Sequence, residues 1–542
     1  MRISSRLRSA LALGLGLAGW SLRGSIHVNE ADVPEAVLFA FDDHAVAFTD
    51  NLQLAMEPAE KFSGNPVLRA GRDGDPDEYQ LRYYGTVIRV NGKYRMWYNA
   101  ADKQGFAASG ADGATTWLGW RFAYAESSDG IHWVKPSLGL VAFRGSRDNN
   151  LIAVPEGFRG YDSLVLYEPE APDPSRRYKM LAQVRRAGTL EVPGGTSENA
   201  FIPLYSADGL RWRVADELTE ASPHRIVAGF QLVTAVEAAG LYRWQGMYYL
   251  SGQAIGPHAR RAATIPYGRH VQIWHSADFL HWSEAQTLGY ARQGQYRRPT
   301  LRFGDKSPGA VYQGEQTHEG ASVWNRGNVL IGLTGFWHGD EDWNKVTHPL
   351  GFLVSNDGLH FREPEPEFIF AEVGARGRDW DYGGLAQGQG FENVGDKTYI
   401  WYGAPMDQSE GDRTGRPNSR GGGVGLLVLV RDRFGSLSTR DPERDGTAVT
   451  SELTATQPFR IWVNAEGLGP ESWLEVELVD AAERPLPGSG GPVRLGRSGL
   501  RVPVALPGGG PSPVPSGPFR IRLRFTGPER NAIRLYALYV GP

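Results

Sequence analysis

One short segment recurs along the chain. It runs Ser, any residue, Asp, a turn residue, two more residues and an aromatic. The copies are Ser127-Ser-Asp129-Gly-Ile-His-Trp133, Ser206-Ala-Asp208-Gly-Leu-Arg-Trp212, Ser276-Ala-Asp278-Phe-Leu-His-Trp282 and Ser355-Asn-Asp357-Gly-Leu-His-Phe361. Their aspartates are spaced by 79, 70 and 79 residues, and a degenerate fifth copy, Asp432-Arg433-Phe434, lies 75 residues further on. A second element keeps its own register. It is a strand centred on Met96 in Tyr94-Arg-Met-Trp-Tyr98, repeated around Met180, Leu250, Ile331 and Ile400 at spacings of 84, 70, 81 and 69. Short aromatic strands and glycine turns repeated at this period predict the blades of a β-propeller. The Asp-Gly pairs suit tight turns, in which Asp accepts backbone N–H groups and Gly takes a positive φ. These aspartates therefore read as structural.

Five blades follow in order. The first spans about Tyr79 to Trp133, with Gly85 to Arg89 in its inner strand. The others open at Tyr161-Asp162, near Phe230 to Ala235, at Gln313 to Trp324 and at Trp380-Asp381. After about Asp445 the pattern changes. Phe459 to Val463, Trp473 to Val479, Phe519 to Phe525 and Ile533 to Tyr539 alternate apolar and polar residues between Pro/Gly turns, which predicts an antiparallel β-sandwich. The expected organisation is all-β: an N-terminal segment over 1–59 with a lead-in strand, a five-bladed propeller over 60–440 that carries the chemistry, and a sandwich over 445–542.

Arg2, Arg6 and Arg8 precede an apolar run from Ala10 to Trp20, the pattern of a secretory signal over 1–24. A secreted or periplasmic protein is therefore expected. The run is too short to cross a bilayer, and no other stretch qualifies. The net charge is −4, from 57 Lys+Arg against 61 Asp+Glu, which excludes a nucleic-acid binder relying on basic excess. Cysteine is absent, which excludes disulfides, thiolate metal sites and a cysteine nucleophile.

Three features carry a resemblance: Asn65-Pro66-Val67-Leu68, the Tyr-x-Met-Trp-Tyr strand and the Ser-x-Asp-Gly-x-x-Trp turn. In these the chain resembles the five-bladed propeller glycoside hydrolases of families 43, 32, 62, 117 and 130. Gln316-Thr-His-Glu319-Gly-Ala-Ser-Val-Trp-Asn-Arg-Gly-Asn328 resembles a less characterised bacterial group described as family-32-like. The chain lacks the Trp-x-Asn-Asp-Pro-Asn, Arg-Asp-Pro and Glu-Cys signatures of family 32, so fold analogy outruns activity analogy. The resemblance implies three carboxylates drawn from different blades: a base or nucleophile, an acid and an orienting group.

Inner-strand carboxylates are the candidates. Asp162 would be the orienting carboxylate or the base, or a turn aspartate at strand entry. Glu319 beside an uncharged Gly-Ala-Ser run is the preferred general acid, since apolar surroundings favour a protonated carboxyl. Asp381 would be base or nucleophile, or again a turn residue. Glu315 lies four residues before Glu319, so regular alternation puts both on one side, with His318 on the other unless a bulge intervenes. Structural pairing of these glutamates with arginines is the competing reading. Glu315, His318, Tyr84, Arg121, Arg378, Gln387, Gln389 and Trp337 are the substrate-binding candidates. Arg82 and Arg298 join Arg121 and Arg378 as groups suited to an acidic sugar, with surface pairing as the alternative. His338-Gly-Asp340-Glu-Asp342 has the donors for a structural Ca²⁺ but reads better as a solvated loop. No metal site and no required cofactor are expected. The partner expected is a carbohydrate substrate, with no nucleic acid and no integral membrane association.

The leading function is hydrolysis of glycosidic bonds in an oligo- or polysaccharide by paired funnel carboxylates. The alternative is a non-catalytic carbohydrate-binding propeller. A sialidase-like enzyme would need three arginines converging on one carboxylate.

Overall fold

The repeated aromatic segment is apolar on both faces, so it needs cover from both sides. In the computed structural model it is the second strand of a four-stranded antiparallel unit, five times over. The structure describes residues 26–28, 35–104, 120–155, 162–192, 195–216, 237–255, 269–283, 287–292, 314–339, 345–375, 378–404, 422–506, 510–515 and 517–542. The signal-like stretch over 1–24, Tyr161, Arg298, Asp340 and Asp342 lie outside them. Sheet 1 is Gln80–Val90, Lys93–Ala101, Trp120–Ser127 and Trp133–Val134. Sheet 2 is Val165–Tyr167, Tyr178–Val192, Gly195–Ser206 and Arg213–Val214. Sheet 3 is Glu237–Trp244, Met247–Ile255, Arg269–Ser276 and Thr287–Tyr290. Sheet 4 is Gly314–Asn325, Leu330–Gly339, Leu350–Ser355 and Ile369–Ala371. Sheet 5 is Ala386–Val394, Lys397–Ala404 and Gly423–Val430, completed by Glu60–Lys61 and Leu68–Arg69 from the start of the chain. Parallel pairing of Thr86 with Gln389 and Val87 with Gly390 joins sheets 5 and 1. The first strands of the five sheets touch in the order 1–2–3–4–5–1, which closes a ring.

The Ser-x-Asp turns fasten that ring. In the first, the Ser127 hydroxyl donates to Asp129, and the N–H groups of Ile131 and His132 donate to the same carboxylate oxygen at 2.9 and 2.8 Å. The other three turns repeat these bonds. Three of the four turns also receive a side chain from the preceding sheet. Trp97 Nε1 donates to the Gly209 carbonyl at 2.7 Å, the Tyr242 hydroxyl to Gly358 at 2.7 Å, and Trp401 Nε1 to Gly130 at 2.9 Å. The third turn has Phe279 where the others have glycine, at φ +70°. Register explains the exchange. The residue after the strand centre is Trp97 in sheet 1 and Trp401 in sheet 5, but Leu181 in sheet 2. A Cβ at Gly209 would stand 2.8 Å from Trp97, whereas Phe279 shares a core with the smaller Leu181. The degenerate fifth copy is bonded differently: Asp432 is fully buried and paired with Arg326 of sheet 4.

The C-terminal strands form two further sheets around one apolar core. A six-stranded sheet contains Arg460–Glu466, Gly499–Pro503, Arg534–Gly541 and Gly435–Thr439, and a five-stranded sheet contains Gly446–Val449, Trp473–Val479, Val493–Leu495 and Arg520–Thr526. Neither is complete without the start of the chain. Ala36–Phe39 pairs with Arg534–Gly541, Leu52–Met56 with Gly435–Thr439, and Phe48–Asp50 with Gly446–Val449. Ile26–Val28 pairs with Leu453–Ala455. The segment before residue 59 is thus an integral part of the C-terminal body, and Gly435–Thr439, which lies before the boundary expected at 440–445, belongs to the same body. This body packs on sheets 4 and 5 through Phe39, Phe41, Phe352 and Phe434. Arg362 adds ion pairs to Asp42 and Asp43.

Candidate functional site

Four of the five inner strands share one irregularity. Register against the second strand slips between Arg82 and Thr86, between Ala238 and Gly240, between His318 and Ser322, and between Gln387 and Phe391. A bulge inserts residues that face no ladder partner and re-aims their side chains. In sheet 4 the bulge contains Glu319, which adopts φ +61° and is fully buried. That conformation costs a non-glycine residue about 1–3 kcal/mol, so the surroundings must hold it. They do: Gln253 of sheet 3 accepts the Glu319 N–H at 2.7 Å, and Ser251 accepts the Ala321 N–H at 2.8 Å. From sheet 5, Gln387 Nε2 donates to the carbonyls of His318 and Gly320 at 2.7 and 2.5 Å.

Arg82 of sheet 1 reaches Glu319 at 2.8 Å and lies over the Tyr84 ring at 4.5 Å. The Tyr84 hydroxyl is 3.4 Å from His318 Nδ1. His318 stacks on His348 at 4.1 Å and on Trp337 at 5.5 Å, and Arg269 covers Trp337 at 4.1 Å. Burial, reinforced by His348, Arg269 and Arg82, pushes the His318 imidazole well below its ordinary range, so the ring is neutral. Asp162 of sheet 2 is fully buried and accepts the Ala238 N–H of sheet 3 at 3.0 Å. Its neighbour Ser163 donates its N–H to the Tyr84 carbonyl at 3.2 Å and its hydroxyl to Asn99 at 3.0 Å. Contributions from all five sheets thus meet at the N-terminal ends of the inner strands. Asp162, Tyr84, His318, Glu319, Gln387 and Trp337, all singled out in the sequence, belong to this network.

The remaining candidates lie elsewhere. Asp381 is buried and bound by the Tyr402 hydroxyl and Lys61, both at 2.7 Å. The same arrangement occurs in sheet 1, where Tyr98 donates to Asp77 at 2.9 Å and Lys135 pairs with it at 2.5 Å. Even the next layer matches: Asn150 donates to the Tyr98 hydroxyl and the Tyr124 carbonyl, as Asn65 does to the Tyr402 hydroxyl and the Leu426 carbonyl. Glu315 is partly exposed and pairs with Arg292 at 2.6 Å and His338 at 2.8 Å. Burial raises its carboxyl, but these two partners bring it below its usual range. The bulge after His318 therefore separates Glu315 and Glu319, which regular alternation would have put together. Arg121 pairs with Asp102 at 2.9 Å beside Arg144, and Arg144 holds the Glu78 carboxyl down to about 2. Arg378 is exposed and pairs with Asp379 at 2.9 Å. Gln389 lies toward the opposite end of the ring, where it accepts the Val323 N–H at 3.0 Å.

The sequence reading left Arg82 outside the carboxylate site and passed over His348, Gln253 and Asn99. Arg82 and Glu319 are 237 residues apart, and only the ring brings them together. Among the described residues no group of three or more His, Cys, Asp or Glu is arranged to hold a metal ion, and no helix is long and apolar enough to cross a membrane.

No family model matches the chain, and no curated protein does. Among solved structures it is similar to a member of glycoside hydrolase family 130, the mannoside phosphorylase family, described as targeting β-1,2 mannosidic linkages in Candida mannan. The identity is 14%, over 70% of this chain and 95% of the other, with a TM-score of 0.40. It is also similar to a glycosyl hydrolase from Bacteroides ovatus (14% identity, 70% and 95% covered, TM-score 0.39). A third is the β-1,2-mannobiose phosphorylase of Listeria innocua (12% identity, 69% and 96% covered, TM-score 0.39). At these scores the likeness says nothing about the site, whose chemistry rests on the residues above.

Proposed function

We propose that the chain is a five-bladed β-propeller with a C-terminal β-sandwich. In this reading it is exported and cleaves glycosidic bonds in an oligo- or polysaccharide at the mouth formed by the N-terminal ends of its inner strands. The observation that carries the reading is Glu319. It is a buried carboxylate in a strained bulge of an inner strand, braced by three other sheets and joined through Tyr84 and Ser163 to a second buried carboxylate, Asp162. Strain held in place by so many partners is characteristic of functional positions.

Cleavage breaks the bond between the anomeric carbon and the leaving oxygen. That oxygen must gain a proton while water or a carboxylate attacks the carbon. Pairing with Arg82 favours an ionised Glu319, which suits a base or nucleophile better than the acid role favoured by its apolar neighbours in sequence. Asp162 is then the proton donor. Tyr84, Gln387 and neutral His318 offer hydroxyl, amide and imidazole groups to sugar hydroxyls, and Trp337 supports the His318 ring. Asp381 acts as a positioning residue for sheet 5.

The test uses aryl glycosides and a polysaccharide panel. Glu319→Gln should lower turnover on every responsive substrate. Asp162→Asn should lower it far more for poor leaving groups than for activated aryl ones. Turnover unchanged in both variants would remove the assignment. The non-catalytic alternative draws on the Arg82–Glu319 pair, which structure alone would also explain, and is recognised by sugar binding without turnover in the unaltered protein.

A further inference from the structure

The inner strands have a second end. A cavity of about 940 Å³ is lined by their C-terminal halves: Thr86 to Ile88, Val165 to Tyr167, Leu241 to Trp244, Val323 to Asn325, and Gln389 with Phe391. The network around Glu319 uses the N-terminal halves of the same strands, so the two places are distinct.

One wall of this cavity is peculiar to sheet 2. The turns between first and second strands are Asn91-Gly92 in sheet 1, Gln245-Gly246 in sheet 3 and Gly395-Asp396 in sheet 5, with four residues, 326–329, in sheet 4. In sheet 2 the connection runs from 168 to 177 and contains Pro169, Pro172 and Pro174. It is held in shape. Glu168 donates its N–H to the Arg177 carbonyl at 2.8 Å, Ala171 to Glu168 at 3.1 Å, and Asp173 caps the turn at Ser175. An insertion that is braced and lines a cavity, where every sister turn is short, marks a binding loop.

The chemistry of the lining selects the ligand class. Aromatic rings stand in the walls: Tyr167 packs on Tyr178 at 4.6 Å, and Trp324 stacks on Phe391 at 5.7 Å. Between them lie groups that donate and accept hydrogen bonds, namely Glu168 with its partners Lys179 and Tyr248. The acids Glu168, Glu170, Asp173 and Asp278 outnumber the basic residues of the lining, and Glu168 already engages Lys179 and Arg243. Such a balance disfavours a phosphorylated ligand, and the buried charge disfavours a lipid. A sugar ring presents an apolar face and a rim of hydroxyls, which is what these walls complement.

We infer that this cavity is a second, non-catalytic site for a short neutral oligosaccharide, with Tyr167 and the 168–177 loop as its recognition elements. The experiment uses the full chain carrying Glu319→Gln, titrated calorimetrically with manno-, gluco-, xylo- and galacto-oligosaccharides. Two further proteins carry, in addition, either Tyr167→Ala or an Asn-Gly turn in place of residues 168–177, with thermal melting as the check of folding. At least one oligosaccharide should bind the Glu319→Gln protein, and each added change should weaken it at least tenfold while Tyr167→Phe restores most of the loss. No binding by any oligosaccharide, or binding indifferent to both changes, overturns the inference. Because the readout is binding, binding through Tyr167 together with no turnover by the unaltered protein on any substrate sinks the catalytic reading and leaves this one standing.

Discussion

The Ser-x-Asp turns and the bulged inner strands are both repeated features, and they behave in opposite ways. The four turns agree atom for atom: the same serine hydroxyl, the same carboxylate oxygen, the same two N–H donors. The bulges agree less: three residues intervene in sheets 1, 4 and 5 but one in sheet 3, and of these residues Glu319 alone takes a positive φ. Sheet 1 places Tyr83 and Tyr84 there, sheet 3 Ala239, sheet 4 Glu319, and sheet 5 Gly388 with Gln389. A repeated structure needs the first kind of copy, because each junction poses the same packing problem. Chemistry needs the second kind, because five identical side chains around an axis could not divide the work of an acid and a base. Where copies of a repeated device diverge in their side chains, function is the better explanation.

The largest expected effect tests the divergent set. Glu319→Gln should lower turnover by about 10²–10⁴-fold with little change in melting temperature, measured on whichever aryl glycoside the unaltered protein cleaves. A loss of folding instead would put Glu319 among the structural copies. Next come Asp77 and Asp381, which share their tyrosine, lysine and asparagine partners. Replacing either by Ala leaves a buried tyrosine hydroxyl and a half-buried lysine without their acceptor, and both should lose about 1–3 kcal/mol in urea unfolding. If Asp381→Ala abolishes turnover at temperatures where it remains folded and Asp77→Ala does not, the equivalence is broken and Asp381 returns to the catalytic set.

Gly209→Phe probes the turn junctions. It puts a ring against Trp97 and should cost about 1–3 kcal/mol from overpacking, and adding Trp97→Leu should recover part of that by copying the Phe279–Leu181 pair. No recovery would mean that the sheet 2–3 junction tolerates Phe279 for another reason. The smallest effect is in pH. Burial raises the Asp278 carboxyl, but the His281 and Leu280 N–H groups, the His281 ring and the Ser276 hydroxyl bring it down to about 2. A carboxyl depressed below its unfolded value of about 3.9 stabilises the fold above that pH and stops doing so as pH falls to about 2. The stability gap between unaltered protein and Asp278→Ala should therefore be constant near neutrality and shrink between about pH 4 and pH 2. A gap that does not change with pH would show the turn to be indifferent to that charge.

Much of the repeat was legible because it depends on local chemistry: Asp-Gly turns, aromatic strands and their spacing. Glu319 was found by its uncharged neighbours. Its pairing with Arg82 was not, since nothing in either segment names the other. Strand alternation misplaced Glu315 beside Glu319 because a bulge leaves no mark in a pattern of period two. For Asp381, which opens a strand, the sequence leaves a base or nucleophile and a turn residue equally open; only alignment with Asp77 across the ring reveals the clamp the two share. The strands before residue 57 look like a lead-in, because their partners come hundreds of residues later, Arg534–Gly541 latest of all.

That last pairing bears on how the molecule is made. Ala36–Phe39 emerges from the ribosome early and finds its partner only when the final strand is complete, on the order of a minute later at ordinary synthesis rates. Through that interval an apolar edge that ends up fully buried has nothing to lie against, and the outermost strand of sheet 5 is also supplied by the leading part of the chain. Assembly must therefore finish where it began, and truncating the last eight residues should leave an aggregation-prone chain rather than a slightly shorter folded protein.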